Sequence, residues 1–241
     1  MKTAALRALT FDHYGTLFDK EAVSGLIDAQ IPGRGLELAR LWFKTTQQYC
    51  WLNGMMGRHQ TWDDLTRRAL EYSFRSEGLN LDPGLADALI DADIHLPPYA
   101  EVPAALARLA QDFDLWVLSM GSPWMIEKSQ KKAGIGHLFK GIISAEQAKV
   151  YKPARAAYGL AERMLDLSSE QIGFVSSNSF DVMGSANYGY PTFWVNRRGL
   201  ILDLLGPKPD IEVPDLMALA ERLRPGRSGA SGVTSSRVKS P

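Results

Sequence analysis

Beyond Pro97-Pro98 the chain repeats one pattern: a short apolar run, a polar residue, then a stretch of helical period. Helices are predicted over 102–111, 124–133, 155–165, 180–188 and 215–223, with strands over 114–118, 141–144, 172–175 and 192–195 between them; a first strand covers 4–11. Parallel strands need long crossovers, and helices of this length supply them. The alternation therefore predicts an α/β fold whose core is a doubly wound parallel sheet covered on both faces.

Between Asp19 and Pro98 the period turns wholly helical. Leu36, Ala39, Leu41, Trp42, Tyr49 and Leu52 form one apolar face, and Leu65, Ala69, Leu70 and Phe74 another. Thr61, three residues before Asp64, reads as a helix N-cap. At 241 residues the chain exceeds one average domain and falls short of two. The expected division is an α/β core over 1–18 and 99–224, an inserted all-helical cap domain over 19–98, and a flexible Gly/Ser-rich tail over 225–241.

Composition narrows the function classes. Lys and Arg number 27 against 27 Asp and Glu, with no long basic run in the body of the chain, which argues against nucleic acid as a partner. No apolar stretch approaches the ~20 residues that span a bilayer, and Met1 to Arg7 lead into a strand rather than a secretory leader, so no membrane partner and a cytoplasmic location are expected. The single Cys50 leaves no internal disulfide and no multi-thiolate metal site, and His13, His59, His95 and His137 lack ligand spacing. No metal and no cofactor are expected.

In a doubly wound sheet the ligand lies beyond the carboxyl ends of the strands. Those ends are Asp12, Ser119, Ser144, Ser176 and Asn196, and the helical insertion leaves the core directly after the first of them. A cap over an active site follows. Asp12 sits beside a glycine-containing turn whose N–H groups can hold negative charge, so it is either a covalent nucleophile or a turn and cap aspartate.

The run Phe11-Asp12-His13-Tyr14-Gly15-Thr16-Leu17-Phe18-Asp19 resembles the first motif of the haloacid dehalogenase superfamily, and more narrowly that of the L-2-haloacid dehalogenases. Leu118-Ser119, Val150-Tyr151-Lys152-Pro153 and Phe174-Val175-Ser176-Ser177-Asn178-Ser179-Phe180-Asp181 agree with the later motifs in order and spacing, as does the segment from Pro32-Gly33-Arg34-Gly35 to Tyr49-Cys50-Trp51-Leu52. The resemblance covers about residues 6 to 222. It implies that Asp12 attacks the α-carbon of a small 2-substituted carboxylic acid, forming an ester that water cleaves. Lys152 would compensate the charge of Asp12, and Thr16 and Ser119 would donate to Asp12 and the substrate. Ser176, Asn178 and Asp181 would place and activate the water, and Tyr158 would point its hydroxyl into the same site. Tyr14, Phe43, Trp62, Met120 and Phe180 would line the substrate pocket. Homodimers through the cap helices are implied by the same likeness. Tyr14 and Asn178 occupy positions where magnesium-dependent phosphatases of the superfamily carry acids. The phosphatase reading is disfavoured, and a catalytically silent binding protein is the reading outside enzymology.

Two positions depart from the subfamily. Phe43 stands where it carries a halide-stabilising arginine after the cap-helix tryptophan, and Met120 where it carries an asparagine after the second-motif serine. Losing a donor aimed at developing charge costs roughly 2.7–4 kcal/mol of barrier. One account moves the guanidinium to Arg40, three residues earlier. The account placed first here makes the leaving group a strained ring amine, as in an L-azetidine-2-carboxylate hydrolase opening its substrate to 2-hydroxy-4-aminobutyrate; the alternative is an (S)-2-haloacid dehalogenase.

Overall fold

The structure of the protein, a computed structural model, describes residues 5–224. Its centre is β1 (Ala8–Phe11), an Ala-Leu-Thr-Phe run with every side chain buried, as a strand covered on both faces requires. β1 pairs in parallel with β2 (Asp114–Ser119) on one side and β4 (Ile172–Ser176) on the other, with Phe11 opposite both Val117 and Val175. β3 (Gly141–Ser144), β5 (Thr192–Val195) and β6 (Ile211–Val213) complete a six-stranded sheet of order β3-β2-β1-β4-β5-β6. Every strand pair is parallel. The chain winds outward from β1 to β3 and then returns to the other side of β1. The strand order reverses there, and the carboxyl ends of β1 and β4 open onto the crevice where such sheets bind ligands.

Helices follow the strands: α5 (Val102–Leu109), α6 (Pro123–Ala133), α7 (Arg155–Leu165), α8 (Ser179–Tyr188) and α9 (Leu216–Arg222). Boundaries agree with the sequence reading within a few residues, save that β1 begins at Ala8 rather than at residue 4. β6 was not anticipated, because three residues between proline-containing segments carry too little alternation to register.

Between β1 and β2 lie α1 (Ser24–Gln30), α2 (Gly35–Met55), α3 (Trp62–Ser76) and α4 (Pro83–Ile94). The predicted stripe of α3 is buried throughout. That of α2 needs correction: Leu36 and Leu52 face solvent, and the buried stripe runs Leu38, Ala39, Trp42, Thr45, Thr46, Cys50, so threonines complete the helical period. Thr61 occupies the N-cap of α3 but makes no side-chain cap bond. Glu146 instead accepts from the Trp62 N–H at 2.6 Å, joining the helical insertion to the sheet domain. Tyr151 donates to the Gln60 carbonyl (2.6 Å) and Trp51 Nε1 to the Lys152 carbonyl (2.9 Å), so the insertion is fixed against the loop that carries Lys152. Among the described residues no helix is long and apolar enough to cross a membrane. The tail predicted over 225–241 lies outside the described residues.

Candidate active site

Asp12 directly follows β1 and is almost fully buried. Its carboxylate is gripped from three elements. Thr16 Oγ1 donates to Oδ2 at 2.9 Å from the turn after β1, Asn178 Nδ2 donates to the same oxygen at 2.8 Å from the end of β4, and Lys152 Nζ donates to Oδ1 at 2.9 Å from the loop after β3. Gly15 makes the turn possible with φ of +79°, a conformation that L side chains rarely adopt. Asn178 is the N-cap residue of α8 yet spends its amide on Asp12 and on the Tyr14 carbonyl (3.1 Å) rather than on its own helix.

Lys152 has no exposed surface and gives its ammonium to three acceptors: Asp12, the Leu118 carbonyl at 3.0 Å and Asp181 Oδ2 at 2.6 Å. Burial opposes its charge, but the two carboxylates outweigh burial and hold its pKa above that of a free lysine. Asp181, in the first turn of α8, receives the Tyr158 hydroxyl on Oδ1 at 2.6 Å. Two carboxylates share one ammonium here. Burial, with the charge of Asp12 added, raises the Asp181 pKa even though Lys152 and Tyr158 pull it down. Burial and then the charge of Asp181 hold Tyr158 neutral, as a donor. α8 comes close enough for this because position 184 is glycine: a Cβ there would lie 2.4 Å from the Tyr158 oxygen.

Asp12, Thr16, Lys152, Tyr158, Asn178 and Asp181 thus form one connected network. Ser176 borders it, its Oγ 3.5 Å from Thr16 Oγ1 and accepting from the Asn178 N–H at 3.1 Å. Ser119 does not reach Asp12; its hydroxyl accepts from the Gly121 N–H at 3.1 Å and so shapes the loop after β2. Tyr14 stacks on Trp62 with centroids 5.3 Å apart, Phe180 meets Trp51 edge-on at 5.2 Å, and Met120 is buried. His13, beside Asp12, bonds Ser129 at 2.8 Å; burial, then the charges of Lys20 and Lys152, lower its pKa to about 3, so it is neutral. Among the described residues no group of three or more His, Cys, Asp or Glu is placed to hold a metal.

Arg40 pairs with Glu21 at 2.8 Å and its side chain is 52% exposed; it lines, from the rim, the same cavity that Phe43 lines. A different cation occupies the interior. Lys20, 6% exposed, pairs with Asp93 of α4, and its ammonium lies 5.1 Å from the ring of Tyr14 and 5.2 Å from those of Trp42 and Phe43. The sequence reading missed both residues. Lys20 follows the first motif among ordinary loop charges, and Asp93 is 73 positions away, so only their unusual burial identifies them. Lys20 and Phe43 line a cavity of about 520 Å³ together with Gly15 and Asn178, so it opens beside the residue that holds Asp12.

These features have known counterparts. The model of the haloacid dehalogenase-like hydrolases matches residues 6–189. The chain is 39% identical over 217 residues to an (S)-2-haloacid dehalogenase of Pseudomonas sp. (strain YL), covering 90% of this chain and 94% of that one. It is 37% identical over 215 residues to haloacetate dehalogenase H-2 of Moraxella sp. (strain B), covering 89% and 96%. Its fold superposes with a TM-score of 0.86, at 30% identity and over 92% of this chain and 99% of the other, on the L-2-haloacid dehalogenase of Xanthobacter autotrophicus with chloropropionic acid covalently bound. With the acid-bearing crevice at the reversal of strand order and likeness across nearly its whole described length, the chain belongs to the haloacid dehalogenase-like hydrolases.

Proposed function

We propose that this hydrolase is an (S)-2-haloacid dehalogenase acting on small 2-halocarboxylates. Asp12 attacks the α-carbon from the side opposite the halogen; the C–X electron pair leaves with the halide and an aspartyl ester forms with inversion. Water then adds to the ester carbonyl, loses a proton to Asp181, and releases the 2-hydroxy acid with Asp12 restored; the net products are hydroxy acid, halide and a proton. Lys152 offsets the charge of Asp12, Thr16 and Asn178 orient its oxygens, Tyr158 orients Asp181, and Ser176 and Ser119 set the adjoining loops. Tyr14, Trp62, Met120 and Phe180 exclude bulk water, which strengthens every charge interaction within. The observation that carries this reading is the triple grip on Asp12 with Lys152 bridging to Asp181.

The ring-amine reading takes second place. It rests on Phe43 and Met120 and calls for a leaving-group region free of cations, whereas the Lys20 ammonium lies 5.2 Å from the Phe43 ring. A homodimer belongs to the same proposal. Tyr49, Leu52 and Met55 of α2, Met56 directly after it and Tyr72 of α3 lie on the insertion, the last four exposed and the two tyrosine rings 5.9 Å apart; light scattering of purified protein at micromolar concentration should give twice the chain mass.

The deciding test supplies L-2-chloropropionate and L-azetidine-2-carboxylate separately, in chelator, and quantifies each 2-hydroxy acid by mass spectrometry. Lactate with equimolar chloride is expected. Ring-opened product without lactate would overturn the reading in favour of C–N cleavage.

A further inference from the structure

We infer that Lys20 is the cation that receives the departing halide, an assignment that rests on the dehalogenase reading above. Two lysines are buried beside the crevice. Lys152 is accounted for by Asp12, Asp181 and a carbonyl. Among the described residues Lys20 has one hydrogen-bond acceptor, Asp93, and otherwise faces the rings of Tyr14, Trp42 and Phe43. An ammonium carries three N–H groups, and ring faces attract its charge without accepting those bonds as a carboxylate does. One ion pair therefore leaves this buried cation with donor capacity in hand.

Its neighbours show the same excess of donors. The Tyr14 hydroxyl and the Trp62 indole N–H are both buried and have no acceptor among the described residues, although an unsatisfied buried donor ordinarily costs free energy. Tyr14 stacks on Trp62 and is the ring nearest Lys20. Two further unpartnered atoms lie nearby, Asp93 Oδ2, of the carboxylate already paired with Lys20, and Nδ1 of His13, whose ring lies 4.8 Å from that of Tyr14. A cluster with spare N–H and O–H groups around a held cation suits an anion and disfavours an ammonium.

Location agrees. Lys20 borders the same cavity as Asn178, whose amide rests on Asp12. Lys20 and Asp93 together carry no net charge, and the other cations that line the cavity, Arg40, Lys44, Arg197 and Arg198, are not buried; what singles out Lys20 is a buried ammonium with unfilled donors beside Phe43. As the bond from Asp12 to the α-carbon forms, the C–X pair collapses onto the halogen, and Lys20 meets that charge through N–H donation with no proton transferred. The Phe43 ring lies 5.2 Å from the ammonium, so on this assignment the cation comes from the segment after β1 rather than from α2.

The test is a halide series. Single-turnover release of chloride, bromide and iodide from the three L-2-halopropionates is measured for wild type, for Lys20→Met, and for Lys20→Met/Asp93→Leu, which leaves no buried carboxylate without its partner. Lys20→Met is expected to slow chloride release at least about tenfold and iodide release several-fold less, because iodide departs with less need of stabilisation. Ester hydrolysis, followed by decay of the covalent adduct in intact mass, should be unchanged. An equal loss for all three halides in the folded double variant, or no loss at all, would make Lys20–Asp93 a packing pair and overturn the assignment. Wild type that releases none of the three halides would defeat the dehalogenase reading itself, before any variant is considered.

Discussion

Two buried ammonium groups flank the crevice, and they are held in opposite ways. Lys152 is saturated: two carboxylates and a carbonyl accept its three N–H bonds, and the Phe174 ring covers it at 5.1 Å. Lys20 has one carboxylate and three aromatic faces. Saturation fixes a charge in place and tunes its neighbours, which suits a nucleophile that must keep one orientation. Partial coordination by aromatic faces keeps a charge dry and available, which suits a partner that appears only during reaction. Both arrangements resist the cost of burying an ion, but only the second leaves donors for a ligand.

Removing the centre of the saturated network has the largest effect. Asp12→Asn keeps the shape of the carboxylate and loses its nucleophilicity, so turnover should fall by more than about a thousandfold in a halide-release assay. Retained turnover would end the nucleophile assignment. Lys152→Met leaves Asp12 and Asp181 facing each other without a countercharge. Urea unfolding at neutral pH should show a loss of about 3–5 kcal/mol, since breaking a buried ion pair strands its partners. A small loss would mean that one carboxylate had taken up a proton, visible as a stability gap to wild type that closes on acidification.

The network also predicts a pH profile. Asp181 has a raised pKa and must be ionised to accept the water's proton, so activity should decline on the acid side at a pH above the ordinary carboxylate range near ~4. The Tyr158 hydroxyl stabilises the ionised form. Tyr158→Phe should therefore raise that pKa further and move the acid limb of kcat upward by about one unit, with activity returning at higher pH. An unmoved limb would assign the titration to another group. The smallest effect belongs to Arg40, at the rim with Glu21. Arg40→Met should leave kcat within about twofold, and a large loss with chloride substrates would return the halide to that guanidinium.

The parts legible in the sequence are those in which chemistry stays local to a strand end. Asp12 is legible as the polar residue that ends the first apolar run, whereas Lys152, Tyr158, Asn178 and Asp181 are legible only through the likeness of their motifs to those of the dehalogenases. All five meet in one network. Ser119 was also a strand end, yet its hydroxyl turned to the Gly121 backbone, since a side chain two residues from a free N–H satisfies it first. Arg40, named for its proximity in sequence to Phe43, lines the same cavity, but its guanidinium is paired with Glu21.

The sequence by itself determined the alternation of strands and helices, hence a parallel sheet with its reactive residues at the carboxyl ends, because strand and helix periods are written in nearest neighbours. It also determined that helices interrupt the sheet directly after Asp12. Only the tertiary structure decided which cation enters the interior. Lys20 and Asp93 come together across 73 positions, and no pattern on either segment marks a charge that Tyr14 and two rings of α2, Trp42 and Phe43, will enclose. Burial of charge is a property of the surroundings, and here the surroundings are assembled from β1's trailing turn, α2 and α4.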